Sequence, residues 1–518
     1  SVAVKQGASL GGTGKVGSTT VATGGGIGSG ASKGTLSVMG DLKLEQGSTL
    51  YVNADSSGKA GLIDVSKTVT VDRAFVQVLA DSGRYAPSTR FTILKATDGI
   101  TGKFFNAYTD LYFLNAILHH NANSVEVELV RNGQAISSAA HNPSAINVAH
   151  AIGDHTPDLL DHLLASSATT AGRALDQLAV AANASRAAAL LGSTAQVSGT
   201  LLNAMNQLNE FDHSLQASML LAEGPALVAT GTPASARGLQ DPQGAGRLWI
   251  QGLGSRGNFD GTHATNDIQQ HTSGALVGMD WAANEAWRLG VMGGYSTTQL
   301  EAKDFLNDSL DSYHLGAYAR HRGDVLVTRM GLAYSGHKGN AKREVDFNGF
   351  HDTPKGRYDA SNQQAFIEFA LPTTSGSLYK EPFASLGYQR YSSDAYDEKG
   401  GAAALHVDGQ QQSNLVSTLG LRIARQRVLD NGMTLTPRAS LGWRHTYGDT
   451  EISTRQAFIT GGTAFEVYGS NLDRNTVMTE AGVDLGISAT QNVSLNYAGE
   501  FGTNARNHGL AAEWRWRF

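Results

Sequence analysis

Cysteine is absent from the 518 residues, so the chain offers neither a disulfide framework nor a thiolate metal site. Proline is scarce at 10 residues, and charged residues make up only 17% of the chain. The formal net charge of −6 gives no electrostatic basis for binding nucleic acid. No apolar run approaches the roughly 20 residues of a membrane-spanning helix, which argues against a helical membrane protein but not against a barrel of alternating strands.

Glycine, in contrast, is abundant at 61 residues, which favours many short strands and turns over a helical protein. A chain of 518 residues is also too long for one ordinary core, so we expect two or more structural units. The chain begins at Ser1 with neither a methionine nor a signal peptide. We therefore interpret it as a processed or truncated form whose export signal and upstream segment are missing.

Residues 1–133 are predicted to form the end of a β-solenoid. Short apolar alternations such as Leu36 with Val38 recur between glycine and polar turns, at a spacing that suits solenoid rungs. A solenoid leaves an open end that needs an apolar cap, and residues 85–131 supply one. The predicted core of this cap contains the following aromatic residues: Phe91, Phe104, Phe105, Tyr108, Tyr112 and Phe113.

Residues 134–246 are predicted to form a helical linker, because they are rich in alanine and leucine with apolar residues at helical spacing. Gly192 and Gly199 are among the glycines expected to divide this linker into several helices. The stretch Thr194–Glu223 offers a helix of about 25 residues, which spans ~38 Å at ~1.5 Å per residue. That length is enough to cross a barrel.

Residues 247–518 are predicted to consist of strands almost without interruption. Apolar side chains alternate with small or charged ones. For example, Leu289 and Val291 lie on one face of a strand, and Arg288 and Gly290 lie on the other. A lipid-facing exterior and a wet lumen require this pattern. We count about 12 candidate strands. The connections between them are alternately short turns and longer loops, as are the periplasmic turns and extracellular loops of outer-membrane barrels.

Ten charged residues are predicted to face the lumen of this barrel. They either solvate a wet interior or hold a plugging helix through charge-assisted hydrogen bonds, and we favour the second interpretation. They are Asp280, Arg288, Arg320, Arg329, Glu368, Arg422, Arg438, Arg444, Glu480 and Asp484.

The C-terminus places Leu510, Trp514, Trp516 and Phe518 on one face of a last strand. A chain that ends on an aromatic, with aromatics at alternate positions before it, resembles the signal read by the outer-membrane barrel assembly machinery. The alternative is an amphipathic edge strand that simply stops there. We favour the signal, because a free aromatic edge would invite aggregation in a soluble protein.

The order of these segments resembles the C-terminal part of a monomeric autotransporter, the type V secretion family. The resemblance covers essentially the whole chain and is carried by GTLSVMGDLKLEQGSTLYV, VEVELVRNG, ALDQL, GALVGMDW, WRLGVMGGYS, LGWRHTYGD and WRWRF. It implies an all-β fold with a helical linker: the end of a passenger β-helix with an autochaperone-like cap (1–133), a linker with a pore helix (134–246) and a 12-stranded transmembrane translocator barrel crossed by an α-helix (247–518).

The resemblance also implies a function, a location and partners. The unit would insert in the outer membrane of a Gram-negative bacterium and deliver its N-terminal passenger, which is displayed on the surface or released. Its partners would be outer-membrane lipid and lipopolysaccharide, the barrel assembly machinery, periplasmic chaperones and a host ligand of the passenger. Some family members cleave between two adjacent asparagines in the pore. This chain has no such pair, so that cleavage is not expected.

Three alternatives stay open: an adhesin whose solenoid is the binding module, a secreted protease passenger upstream, and a porin-like channel.

We predict no catalytic residue, cofactor or metal in the residues present. Gly12–Gly17 spells GxGxxG and Gly30–Gly34 spells GxSxG, but neither has the strand-turn-helix context of a dinucleotide site or a nucleophile elbow. The histidines and aspartates of residues 150–162 are interpreted as exposed polar residues near helix starts.

Overall fold

The N-terminal part of the chain is a stack of short strands. The computed structural model describes residues 1–31, 33–85, 88–153, 156–206, 246–261, 267–303, 305–488 and 490–518. Its first strands are β1 (Val2–Val4), β2 (Ser9–Leu10), β3 (Gly14–Val21), β4 (Gly26–Gly28), β5 (Thr35–Leu44), β6 (Thr49–Ala54), β7 (Leu62–Val65), β8 (Val69–Asp72), β9 (Phe75–Ala80), β10 (Thr89–Ala96), β11 (Ile100–Lys103), β12 (Asn106–Thr109), β13 (Leu114–His120) and β14 (Ser124–Arg131).

These strands form a β-solenoid closed at its C-terminal end. The strands β1, β3, β5, β7 and β10 pair in parallel in one sheet, and β2, β4, β6, β9 and β12 do so in the other. Alternate side chains such as Val38, Leu42 and Val52 point inward and are buried, as the period of two requires. The strand β14 then runs antiparallel between β10 and β13 and covers the last rung.

The predicted core of the cap is correct for Phe91 and Phe104 and wrong for Phe105 and Tyr108. The first two lie in the solenoid core, whereas Phe105 is 57% exposed and Tyr108 47% exposed. The strand β12 presents Ala107 inward and Tyr108 outward, so the aromatic residue takes the solvent face. Phe105 and Tyr108 instead contact Phe75 on the outside of the rung, with ring centroids 5.6 and 5.9 Å apart.

Tyr112 and Phe113 take part in a different contact. Phe113 is 1% exposed, but it packs with the linker helices and barrel loops rather than with the solenoid core. The backbone N–H of Tyr112 donates to the carbonyl of Ser166 at 2.9 Å. The prediction that both residues belong to the cap core is therefore wrong, because they join the solenoid to the linker.

In the described part of the linker, four α-helices follow a short 3₁₀ turn at Ile136–Ala139: α1 (Pro143–Ala151), α2 (Pro157–Leu164), α3 (Ala168–Ala179) and α4 (Ala182–Asn206). Local sequence fixes their starts. Proline occupies the first turn of both α1 and α2, and the side chain of Asn142 accepts a hydrogen bond from the N–H of Ala145 at 2.8 Å. Val180 adopts a left-handed conformation with φ of 47°, which ends α3 and redirects the chain into α4.

The long helix begins earlier than the sequence predicted. We expected Thr194–Glu223, but the structure has a 25-residue helix at Ala182–Asn206. Gly192 and Gly199, interpreted as breaks, lie inside it. Residues 207–223 of the predicted stretch lie outside the described residues. A glycine interior to a helix is tolerated where the backbone approaches a neighbour closely, and a Cβ on Gly192 would lie 3.3 Å from Asn507 Nδ2 of the barrel wall.

The C-terminal half is built of long antiparallel strands with short ones in the loops. They are β15 (Gly246–Phe259), β16 (Ile268–Ala282), β17 (Trp287–Ala302), β18 (Leu306–Arg322), β19 (Val327–Lys342), β20 (Val345–Phe347), β21 (Phe350–Asp352), β22 (Lys355–Ala370), β23 (Thr373–Ser375), β24 (Leu378–Ser393), β25 (Tyr396–Asp397), β26 (Leu405–Val407), β27 (Gln411–Arg425), β28 (Arg427–Val428), β29 (Thr434–Tyr447), β30 (Ser453–Phe458), β31 (Phe465–Tyr468), β32 (Asn475–Gly486), β33 (Gln491–Phe501) and β34 (Ala505–Arg517).

Within the described residues, 12 of these strands close into a barrel. Going round the wall, the order is β15–β19, β22, β24, β27, β29 and β32–β34, and β34 returns to pair with β15. At the seam, the N–H of Gly246 donates to the carbonyl of Phe518 at 3.1 Å and the reverse bond has the same length. This closure confirms the predicted barrel and leaves no free sheet edge in the wall.

The two ends of the barrel differ. Tight turns such as the one at Asn431 and Gly432 join strands at the end where the barrel starts and finishes, whereas residues 343–354, 394–410 and 448–474 form long connections at the other end. These long connections build the β20–β21 hairpin and a four-stranded sheet of β25, β26, β30 and β31. Short turns are periplasmic and long loops extracellular in outer-membrane barrels. We therefore call the loop end external.

A second apolar core, which we call the external core, lies over the loop end of the barrel. It joins α1–α3 and the start of α4 to the loops, through buried side chains such as Val148, Leu163, Leu175, Phe347 and Val467. No helix in the described ranges is both long and apolar enough to span a membrane.

Candidate functional site: the barrel lumen and its helix

The lumen wall contains two clusters of buried, paired charges. Asp280 is the centre of the first: its carboxylate accepts from Arg247 Nη2 at 2.5 Å and from Arg288 Nε at 2.6 Å. The hydroxyl of Tyr318 also donates to Asp280 Oδ2 at 2.6 Å, and Trp249 Nε1 donates to that hydroxyl at 2.8 Å. A buried charge is tolerated only when it is paired and hydrogen-bonded, and this carboxylate is both.

The second cluster lies farther round the wall and contains two arginines and two glutamates. Arg329 donates to Glu368 at 2.9 Å and to Glu381 at 2.7 Å. Arg422 donates to the same two carboxylates at 2.7 and 2.9 Å. Planar guanidinium groups suit such bidentate bonds, so the four side chains tie the four neighbouring strands β19, β22, β24 and β27 together inside the lumen.

The helix α4 lies within this lumen, and its external end is held by a cage around Arg186. Arg186 Nε donates to Asp308 Oδ2 at 2.6 Å, and Nη1 donates to the hydroxyl of Tyr396 at 2.7 Å. The guanidinium also lies 4.4 Å from the ring centroid of Tyr358, whose hydroxyl donates to Asp308 at 2.7 Å. Arg186 is 3% exposed, so its charge is balanced entirely by groups of the barrel and its loops.

Several wall and loop side chains bind the main chain of the helix rather than its side chains. Asn362 Nδ2 donates to the carbonyl of Leu190 at 2.8 Å, and Arg247 Nη2 donates to the carbonyl of Ala204 at 2.8 Å. Bonds to carbonyls do not depend on the side chain at that position. The lumen can therefore hold a helix of small residues, such as this alanine-rich one, by its backbone.

The inner half of α4 packs against one side of the barrel only. Leu201 and Met205 are buried against Trp249, Leu276 and neighbouring apolar residues of the first strands. On the opposite side a cavity of ≈ 180 Å³ separates the helix from the wall strands β24, β27, β29 and β32–β34. The helix is thus off centre in the lumen.

Polar and charged side chains line this cavity. Thr200 and Asn203 of α4 face Arg422, Arg438 and Asp484 of the wall. Arg438 crosses to the helix, where its Nη1 donates to Asn203 Oδ1 at 2.7 Å, and its Nε lies 3.2 Å from Asp484 Oδ2. The lumen beside the helix is therefore hydrophilic.

The external end adds buried polar groups of its own. Burial raises the pKa of Tyr396 to about 12, so its hydroxyl stays neutral beside Arg186. Burial likewise raises the pKa of Asp176 on α3, although Asn142 Nδ2 opposes this by donating to its carboxylate at 2.6 Å. These groups order the linker helices above the barrel mouth.

The ten predicted lumen charges have mixed roles in the structure. Asp280, Arg288, Arg329, Glu368 and Arg422 form the two wall clusters, so they pair with other wall charges. Arg438 holds the helix, as predicted. Of the remaining four, Arg320 is buried, Arg444 pairs with Glu500 at 2.9 Å, Asp484 lies beside Arg438, and Glu480 lines the cavity and accepts from Ser440 at 3.3 Å.

Sequence reasoning missed the Arg186 cage. The sequence does contain an indication of this cage, because Arg186 is the only charged residue in Ala182–Asn206. The partners Asp308, Tyr358 and Tyr396 come from three distant strands, and a single sequence does not bring them together.

The C-terminal residues lie as an outward-facing row. Leu510, Trp514, Trp516 and Phe518 are exposed on the outer surface, and the rings of the last two have centroids 5.4 Å apart. Between them Glu513 and Arg515 point inward and are buried. The outward row is positioned for lipid, and a role for it in assembly remains a proposal.

The residues at 150–162 that could suggest a metal site have other partners where they are described. Arg84 lies 3.3 Å from Asp158 and 2.5 Å from Asp161, and His162 Nδ1 lies 3.0 Å from the carbonyl of Asn348. Asp154 and His155 lie outside the described residues. Gly14 and Gly17 of the GxGxxG motif lie in strand β3.

A closed antiparallel barrel with an apolar exterior and a polar lumen plugged by a helix has the architecture of an outer-membrane β-barrel. Residues 248–498 match the autotransporter β-domain family. This match confirms the predicted fold class and the resemblance found in the sequence.

Two proteins of Serratia marcescens are similar to this chain over nearly its whole length. The chain is 30% identical over 550 aligned positions to an extracellular serine protease of Serratia marcescens, covering 100% of this chain and 52% of that protein. A second extracellular serine protease of Serratia marcescens is 29% identical, covering 94% and 49%. The chain therefore spans about half the length of these relatives.

Solved structures include similar barrels. The translocator domain of autotransporter NalP from Neisseria meningitidis aligns with a TM-score of 0.44 and 18% identity, covering 59% of this chain and 96% of that one. The transport unit of autotransporter AIDA-I from Escherichia coli aligns with a TM-score of 0.39 and 16% identity, covering 59% and 98%.

Proposed function

We propose that this chain inserts in the outer membrane of a Gram-negative bacterium and displays the solenoid, with any segment upstream of it, on the cell surface. The observation that carries this proposal is the path of α4. The carbonyl of Ala204, near the C-terminal end of α4, accepts from Arg247 at the turn end of the barrel, and Arg186 lies among the external loops. Followed from the barrel toward the N-terminus, the chain therefore crosses the lumen once and then enters the linker helices and the solenoid.

The energy for export then comes from folding on the outside. The solenoid core is built of buried valine, leucine and isoleucine side chains, and each rung that forms removes apolar surface from water. Burial contributes about 25 cal/mol per Å², which disfavours return of a folded rung through the pore. The cap at residues 85–131 emerges before the rest of the solenoid, so it is positioned to serve as a folding template.

The resting translocator is closed by α4, which the Arg186 cage and the backbone bonds hold in the lumen. We further propose that the outward row ending at Phe518 is read by the barrel assembly machinery, and that periplasmic chaperones hold the chain before assembly. Outer-membrane lipid and lipopolysaccharide contact the apolar exterior. We also propose that the passenger binds a ligand of the host.

Surface labelling tests the orientation. An epitope inserted between Gly58 and Lys59, an exposed solenoid turn, is expected to bind antibody on intact cells. The same epitope inserted between Asn431 and Gly432, at the turn end of the barrel, is the control and is expected to bind only after the outer membrane is permeabilised. The opposite pattern would refute the proposed orientation.

A serine protease passenger is the second candidate for the whole protein. It is favoured by the names of the two Serratia relatives, about half of whose length this chain spans. A fluorophosphonate probe would label the full-length gene product but not residues 1–518 if the nucleophile lies upstream. Labelling of residues 1–518 would contradict our prediction that the residues present are not catalytic.

A further inference from the structure

The loop between β19 and β22 ends in a hairpin that contacts both the solenoid and the linker. This segment, Val345–Asp352, comprises β20 and β21 and is called the docking hairpin below. Its tip is Asn348-Gly349, with φ of 46° and 78°. Two consecutive left-handed residues define a tight two-residue turn, and asparagine followed by glycine is the pair that adopts it most readily.

Apolar residues anchor the docking hairpin in the external core. Val345 and the ring of Phe347 are buried, and the Phe347 and Phe350 rings stack with centroids 5.2 Å apart. The ring of His162 on α2 meets Phe350 edge to face at 5.7 Å. The tip is therefore held in a fixed position above the barrel mouth.

The tip side chain bonds to two other segments of the chain. Asn348 Oδ1 accepts from the N–H of Gly83 at 3.0 Å, and Nδ2 donates to the carbonyl of Gly83 at 3.3 Å. Nδ2 also donates to the carbonyls of His162 at 2.7 Å and Ala165 at 2.9 Å, at the C-terminal end of α2. The barrel loop thus satisfies carbonyls that a helix end leaves without partners.

Further contacts surround this joint. Arg84, next to Gly83, pairs with Asp158 and Asp161 of α2, and the N–H of Tyr112 donates to Ser166. The docking hairpin and α2 together form a surface, called the seat, that binds the solenoid loop at residues 83–84 through hydrogen bonds and ion pairs.

We propose that this seat is a docking site on the barrel for the end of its own passenger, and that it retains the passenger by non-covalent contacts when the chain between them is cut. The exposed segment 133–135 joins the solenoid to the linker, so a cut there leaves the joint intact. This inference rests on the proposed function, because it requires the solenoid and the loops to lie on the same side of the membrane.

The test uses the full chain in the outer membrane of whole cells. A site for a sequence-specific protease is inserted between Gly133 and Gln134, the cells are treated with that protease, and solenoid in the pellet and the medium is measured over time. The parent is expected to keep its cut passenger on the cells. Asn348→Ala is expected to release it roughly thirtyfold faster, the factor that loss of two hydrogen bonds of ordinary net strength gives.

Three further variants support the comparison. Asn348→Asp keeps the acceptor for Gly83 N–H but places a carboxylate oxygen against the carbonyls of Gly83, His162 and Ala165, so its release should be at least as fast as that of Asn348→Ala. Asn258→Ala, an exposed asparagine on β15, should release at the parent rate. Gly83→Ala changes the docked side of the joint, because Gly83 has a φ of 152° that a residue with a side chain rarely adopts, and should also speed release.

The outcomes separate the two proposals. If the solenoid of the parent is not labelled on intact cells, the proposed function fails. If it is labelled but leaves the parent cells after the cut, the docking site is refuted. Retention in the parent with unchanged release from Asn348→Ala would also refute it. Heat-modifiable migration of the barrel confirms assembly, and if Asn348→Ala fails to assemble, Gly83→Ala decides instead.

Discussion

Arg186 bears the only charge in a helix otherwise made of small and apolar or neutral polar residues. Its guanidinium is removed from water and paired with Asp308, Tyr358 and Tyr396. Such a pair contributes little net stability compared with apolar contacts of the same size, but removing one partner leaves a buried charge uncompensated. The cage therefore acts mainly to fix one position of the helix.

Replacing Arg186 with alanine is expected to loosen the plug. Breaking a buried pair from one side costs about 3–5 kcal/mol, because Asp308 is left buried without its partner. The expected result is a higher and noisier conductance in planar bilayers. Arg173→Ala, an exposed arginine on α3, is the matched control and should leave conductance unchanged. Identical traces for Arg186→Ala and the parent would show that the cage does not hold the helix.

Replacing Trp514, Trp516 and Phe518 together with serine is expected to stop assembly of the barrel in the outer membrane. All three side chains face outward, so the change removes little from the barrel interior. Loss of heat-modifiable migration on a gel would report the failure.

Its control is a second triple variant, in which Trp281, Tyr388 and Trp443 become serine. These residues are also exposed on the outside of the barrel, and they lie away from the C-terminal strand. If both triple variants fail to assemble, the effect is a general loss of aromatic contact with lipid. If the C-terminal variant assembles normally, the last strand is not a recognition signal.

At the scale of the element, alternation predicted strands and lumen faces well, because the period of two places Arg288 and Leu289 on opposite faces whatever the partner strands are. The boundaries of the helices were predicted less well. Gly192 suggested a break, but its closest neighbour, Asn507, lies 315 positions away in sequence (507 − 192) and favours a residue without a side chain. Only the assembled barrel explains that glycine.

The position of α4 can be tested with a disulfide, because the chain has no cysteine of its own. A Cβ at Gly192 would lie 3.3 Å from Asn507 Nδ2, so Gly192→Cys with Asn507→Cys is expected to cross-link on oxidation. The control pair is Gly199→Cys with Asn507→Cys, because no atom lies within 4 Å of a Cβ at Gly199. A gel shift in the absence of reductant reports the bond. Cross-linking of both pairs, or of neither, would contradict the position of the helix.

At the scale of the molecule, the sequence correctly predicted a solenoid, a helical linker and a barrel, because each has its own periodicity. It did not predict how they join. Phe113 was assigned to the solenoid cap by its neighbours in sequence, yet it packs with linker and loop residues such as Val148 and Phe347. Contacts between units depend on surfaces that only the folded parts present, and so local patterns do not reveal them.

The cap is expected to behave as a folding unit for the displayed solenoid. Phe91 and Phe104 lie in the solenoid core, 2% and 6% exposed, whereas Phe105 and Tyr108 lie on its surface. A buried Phe→Ala change costs about 3–5 kcal/mol, so two such changes approach the whole stability of a typical domain, about 5–15 kcal/mol. Phe91→Ala with Phe104→Ala is therefore expected to leave the displayed solenoid unfolded.

Trypsin added to intact cells should then digest the solenoid of the Phe91→Ala, Phe104→Ala variant and spare that of the parent. Phe105→Ala with Tyr108→Ala is the matched control: it removes two neighbouring aromatic rings from the surface and should stay resistant. Heat-modifiable migration should be the same in all three, because the barrel has its own core and closure. If the variant with core changes resists trypsin as well as the parent does, the cap is not the template for folding the passenger, and export must draw on the upstream rungs instead.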